Sequence, residues 1–197
     1  MKNTGPAFYR AGFRIFNSMQ YMLANGEWLR IRSAKVDDAA ALLEMFRQAV
    51  TETECLLTTP EEARGLTLEQ EKEFIARYQE NTAQLFLVGQ VSTQIISSLS
   101  VTQSRWKKQE HMAEFGIVVL RDYWNIGVGR RMINSMLKWA EEQPLLECLH
   151  LNVMANNERA IHLYRNFGFT EYGRMRKAIR QPGYDYQDLV LIEKWLK

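Results

Sequence analysis

VLRDYWNIGVGRR, residues 119–131, is where the chain changes from strand to helix. An apolar run over 112–120 precedes it, and Val128, Met132, Ile133, Met136, Leu137 and Ala140 follow at helical spacing. A helix start leaves its first N–H groups unpaired at the positive end of the helix, and glycines there let an anion approach them. Gly127 and Gly129 provide that opening, with Arg130 and Arg131 beside it. Glycine pairs also open helices for packing reasons alone, so both readings stand at this point. The segment is not a Walker loop, which needs a Gly-Lys-Ser/Thr ending, and it lacks GxGxxG.

Downstream, 148–154 reads as a strand and 156–169, NNERAIHLYRNFGF, as a helix. Asn156 is placed to cap it, Ala160, Ile161, Tyr164 and Phe167 form its apolar face, and Gly168 stops it. On packing grounds alone Tyr164 is a core aromatic. Upstream, 28–32 alternates as a short strand, and Asp37 precedes a helix with Ala39, Leu42, Leu43, Phe46 and Val50 on one face. A polar linker containing Pro60 follows. Thr67 and Gln70 then make a capping box before a second helix carrying Phe74, Ile75 and Tyr78. Runs at 85–88 and 95–101 flank a turn at 89–93 and form a hairpin. The tail supplies two more strands, 171–180 and 184–196, around Pro182-Gly183. This order predicts a mixed α/β fold with a largely antiparallel sheet.

The length of 197 residues suits one domain, here 27–197, preceded by an extension over 1–26. Phe13, Phe16, Met19 and Leu23 recur in that extension at roughly helical spacing, which predicts a short amphipathic helix against the domain or against a second copy in a homodimer. Lys2, Arg10 and Arg14 without any acid give it the bias of a transit peptide, but its Phe, Tyr and Met content favours a cytoplasmic reading. A net charge of +2 with dispersed Lys and Arg gives no footprint for nucleic acid. No apolar run is long enough to span a membrane. Cys55 and Cys148 make neither a disulfide framework nor a metal site, so no metal is expected.

Taken together, the glycine turn and the later helix resemble the GNAT superfamily of acetyl-CoA-dependent N-acetyltransferases. In that family the turn reads Arg/Gln-x-x-Gly-x-Gly/Ala, which corresponds to Trp124, Asn125, Ile126, Gly127, Val128 and Gly129. Its later helix reads Asn-x-x-Ala-x-x-x-Tyr, here Asn157, Ala160 and Tyr164, followed by Gly168-Phe169. One position departs, because Trp124 stands where the family has Arg or Gln. The resemblance implies a central sheet whose splayed strands form the acetyl-CoA cleft. It implies cofactor contacts from Ile117, Val118 and Val119 to the pantetheine arm, and from the turn, Arg130 and Asn157 to the rest. It also implies that Tyr164 is the general acid. Glu114, at the family's distance from the glycine turn, is expected as the base, with His111 as second candidate and His150 and His162 behind it. The acceptor is expected to be a primary amine, whether a small molecule, an amino acid or a protein N-terminus. Its contacts are expected from the first two helices and their linker, 52–64, and from the tail around Tyr186-Gln187-Asp188, with Glu52, Glu54 and Asp188 as candidate amine-binding acids. A catalytically inactive acyl-CoA-binding or interaction module of the same fold is the alternative.

Overall fold

Alternation of β-branched and aromatic residues over 85–103 builds the centre of the sheet: β3 (Leu85–Val91) and β4 (Gln94–Gln103) are buried along nearly their whole length. Strands buried on both faces need cover on both sides. The computed structural model describes residues 16–80, 83–181, 183 and 186–197. Around the central pair it places β1 (Met19–Met22), β2 (Trp28–Ser33), β5 (Met112–Val119), β6 (Cys148–Met154), β7 (Thr170–Arg180) and β8 (Tyr186–Trp195). They form one eight-stranded sheet in the order β1-β2-β3-β4-β5-β6-β8-β7. Among these neighbours only β5 and β6 run parallel. The mixed, largely antiparallel sheet read from the sequence is therefore the observed one.

The helices are α1 (Ala39–Glu52), α2 (Pro60–Gly65), α3 (Leu68–Glu80), α4 (Val128–Glu141) and α5 (Glu158–Arg165). Ring contacts assign them to faces. Phe74 of α3 meets Phe86 of β3 at 5.3 Å, and the Tyr78 hydroxyl bonds Thr102 Oγ1 of β4 at 2.7 Å, so α3 lies on the face that includes Ser98, Ser100 and Gly116. On the opposite face, Val128, Met132, Ile133 and Met136 of α4 are fully buried, and Tyr164 of α5 packs edge-on against Phe115 at 5.8 Å. None of the described helices is long and apolar enough to cross a membrane.

Several boundaries differ from the sequence reading. Phe13 lies outside the described residues, but Met19 belongs to a strand and not to a helix, pairing Met19 with Ile31 and Met22 with Trp28. The signal for this is Asn25-Gly26, a hairpin dipeptide, with Gly26 at φ +86°. The segment around Pro60 contains a helix as well as a linker: Thr59 Oγ1 accepts from Glu62 N–H, and the Glu62 carboxylate accepts from Thr59 N–H. Thr67 and Gln70 make the reciprocal capping bonds that their spacing predicts. Asn157, not Asn156, caps α5, its side-chain oxygen accepting from Ala160 N–H at 3.2 Å.

Asp37 does not cap α1 either, because a 3-10 turn, Val36–Asp38, precedes the helix. There Asp38 grips Arg32 of β2 through two bonds of 2.6 and 2.7 Å and also accepts from Lys35 N–H. Burial works against ionisation of Asp38, but the guanidinium and the amide outweigh it and hold the carboxyl below the ordinary range. Asp38→Asn is expected to lower unfolding free energy by about 1–3 kcal/mol at neutral pH, read by denaturant titration. A group with a depressed folded-state pKa stabilises above its unfolded value of about 3.9 and loses that contribution as pH falls through the folded value. The gap between wild type and variant is therefore expected to close in acid.

Candidate active site

The site begins where the sheet stops pairing. β5 and β6 are matched only at Met112 with Cys148, Ala113 with Leu149 and Glu114 with His150. Beyond them β5 stays on β4 while β6 stays on β8, so a wedge opens between the strand ends. Leu120 N–H donates to Ile96 O, which turns the main chain of 120, and by alternation that of Val118 and Gly116, toward β4. Ile117 and Val119 consequently turn theirs into the wedge. Of the three strand residues expected to hold the pantetheine arm, Val118 thus offers its side chain instead of its amide.

The wedge is part of a cleft of about 1040 Å³ that runs past the start of α4 on one side and between α1 and α3 on the other. Gly127, at φ +103°, is the N-cap of α4 and provides no side-chain cap, so the first amides of the helix remain open. Gly129 lies against Leu163 of α5, where an added Cβ would approach to 3.1 Å. Trp124, Asn125, Gly127, Gly129, Arg130 and Asn157 all line the cleft. Ile126 and Val128 support the turn from behind: Ile126 O accepts from Ala24 N–H, and Val128 is fully buried. Arg131 turns away and stacks on Tyr21 at 4.7 Å, leaving Arg130 as the turn's cleft-facing cation.

Trp124 has specific partners. Its indole N–H donates to Val119 O at 2.7 Å, and its ring lies 3.3 Å from the Arg159 guanidinium carbon and 5.6 Å from that of Arg121. A tryptophan face attracts such cations electrostatically. The residue that replaces the family's Arg or Gln thus positions an arginine from α5 on the cleft wall. Sequence reasoning passed over Arg159, since the arginine and the ring that holds it come from separate segments.

Tyr164 is 5% exposed and lines the cleft, wedged between Phe115 and Phe169. Its hydroxyl has no hydrogen-bond partner among the described residues, and burial pushes its pKa well above the ordinary tyrosine value. Glu114 shares the sheet face of Gly116, but its side chain is exposed and does not line the cleft. His111 stacks near Trp195 at the far end of β5, and His150 also stays outside; His162, ranked last with it, does line the cleft.

None of the acids expected to bind the amine lines the cleft. Glu52 accepts from Arg121 N–H at 2.7 Å, Glu54 is exposed, and Asp188 accepts from Lys177 N–H at 2.9 Å. Among the described residues, nothing from 170 onward lines the cleft, whereas Thr53, Cys55, Leu56, Leu57 and Thr58 of the expected 52–64 segment do. The carboxylates that do reach it are Glu71 and Glu73 of α3. Among the described residues, no group of three potential ligands converges on a metal position.

The chain belongs to the acetyltransferase (GNAT) family, whose profile matches residues 42–169. An L-amino acid N-acetyltransferase of Escherichia coli is 26% identical over 50% of this chain and 61% of its own length. The chain thus matches about three fifths of the length of the first curated relatives. A GNAT-family acetyltransferase from Streptococcus pneumoniae superimposes with a TM-score of 0.80 at 26% identity, covering 86% of this chain and 99% of the other. An acetyltransferase fold from Salmonella typhimurium, solved with acetyl-CoA, gives 0.74 at 18% identity over 86% and 94%.

Proposed function

We propose that the protein transfers an acetyl group from acetyl-CoA to a primary amine by direct attack through a tetrahedral intermediate. The observation that carries this reading is one continuous cleft joining the open amides at Gly127 to the Tyr164 hydroxyl along the unpaired edge of β5. The residues present suit the donor. Positive φ at Gly127 and a missing side chain at Gly129 leave room for phosphates at the start of α4, with Arg130 and Arg159 nearby as cations. The outward amides of Ile117 and Val119 suit the extended arm and the thioester oxygen, where fixed donors stabilise developing negative charge.

The amine enters from the α1–α3 side over Gly116, whose absent side chain would meet, among the described residues, only Ser100 Oγ, at 3.9 Å. As nitrogen bonds to the acetyl carbon and the carbon–sulfur bond breaks, the Tyr164 hydroxyl donates toward the departing sulfur. Its raised pKa keeps it protonated for that purpose. The proton leaving nitrogen reaches Glu114 through solvent, consistent with an exposed side chain two residues before Gly116.

Thermal-shift measurement followed by thiol release against a panel of amines tests the reading. Acetyl-CoA and CoA are expected to stabilise the fold in proportion to occupancy, and ATP is not. Stabilisation by ATP alone refutes it. Tight acetyl-CoA binding with no thiol released favours the inactive module.

A further inference from the structure

The acceptor end of the cleft has a largely apolar floor. Met45 and Phe46 of α1, Phe74 of α3 and Phe86 of β3 line it. Glu71 sits among them, half-buried at the first turns of α3. Neighbouring cations are occupied: Lys72 pairs with Glu69 at 2.9 Å, and Arg77 lies over the Phe74 ring at 5.4 Å. No cation or hydrogen-bond donor among the described residues reaches the Glu71 carboxylate. Burial alone raises its pKa. A carboxylate kept partly out of water without a partner costs stability, and an incoming ammonium group offsets that cost.

Strand register indicates how far this charge lies from the reacting atoms. Gly116 pairs with Ser100, and Ser100 pairs with Phe86, so Phe86 is two strands from the wedge, about 10 Å at ordinary strand spacing. Phe74 covers Phe86, and Glu71 is one turn before Phe74 on the same helix. The cleft therefore presents a reacting position over Gly116, an apolar stretch, and then the half-buried Glu71, with the exposed Glu73 and Arg77 also on its lining.

We propose that Glu71 is a specificity residue of the acceptor site, receiving the distal ammonium of an aliphatic di- or polyamine whose near amine is acetylated over Gly116. The assignment rests on the acetyl-transfer reading for the near amine only. An apolar floor suits the methylene chain, and an unpaired carboxylate disfavours a zwitterionic amino acid, whose own carboxylate it repels.

The test uses the full chain, a series of linear diamines and their matching monoamines, with Glu71→Gln and, as an exposed control outside the cleft lining, Glu44→Gln. Binding is read by calorimetry in the presence of CoA, and acetylation as kcat/KM. Wild type is expected to prefer a diamine over its monoamine by about tenfold or more, equivalent to about 1.4 kcal/mol. Glu71→Gln is expected to abolish that preference while retaining monoamine turnover, and Glu44→Gln to leave it intact. Equal losses for monoamine and diamine in Glu71→Gln, an undiminished diamine preference, or a wild-type preference for L-amino acids overturns the proposal. Glu71-dependent diamine binding without thiol release supports the cationic subsite and refutes acetyl transfer, so the two failures are distinguishable.

Discussion

Replacing Tyr164 with phenylalanine is expected to lower kcat about 10²-fold while leaving the Kd for acetyl-CoA nearly unchanged. The ring packs between Phe115 and Phe169, and phenylalanine preserves those contacts. What is lost is a hydroxyl without a hydrogen-bond partner among the described residues, so Tm is expected to hold or rise slightly. A fall in Tm would indicate damage to packing, and unchanged kcat with intact Tm would remove Tyr164 from the mechanism. The pH dependence is a second check. Burial pushes this hydroxyl above the ordinary value of about 10. It therefore stays protonated from about pH 6 to 9, and the ratio of wild-type to variant kcat is expected to be flat across that range. A ratio that drifts there would assign the titration to another group.

Gly127→Ala is expected to weaken acetyl-CoA binding by at least about tenfold, measured by calorimetry. At φ +103° a Cβ imposes backbone strain on the order of 1–2 kcal/mol, and no atom of the described residues lies within 4 Å of where that carbon would stand. Because Gly127 lines the cleft, the new methyl enters the space proposed for phosphate. Gly26→Ala is the control: Gly26 also has positive φ and open space, but it belongs to the β1–β2 hairpin. Similar stability losses with only Gly127→Ala losing affinity would separate the anion cradle from backbone strain. Equal affinities in both variants would place the phosphates elsewhere.

These two positions are legible in the sequence because their signals are local. A glycine opening a helix, a capping box at Thr67 and Gln70, and a buried stripe from Val128 to Ala140 each reside within a few turns of chain, where backbone geometry and periodicity act directly. The N-terminal segment is a strand and not the expected helix: Phe16, Met19 and Leu23 recur at spacings that also suit a partly buried edge, and the Asn25-Gly26 turn decides between the two.

The amino-acid sequence by itself determined the order of strands and helices from β2 onward apart from α2, the open helix start at Gly127 and the tyrosine one strand and one helix later. Only the tertiary structure decided which charges face the cleft. Glu52 and Asp188 have the right chemistry for an amine, but their carboxylates are bound to the amides of Arg121 and Lys177, whereas Glu71 lines the cleft without a partner among the described residues. Arg159 likewise reaches the cleft because Trp124, far from it in the chain, offers its ring. Long-range packing sets these partnerships, and residue type and spacing along the chain do not encode which of several like charges the fold will leave without one.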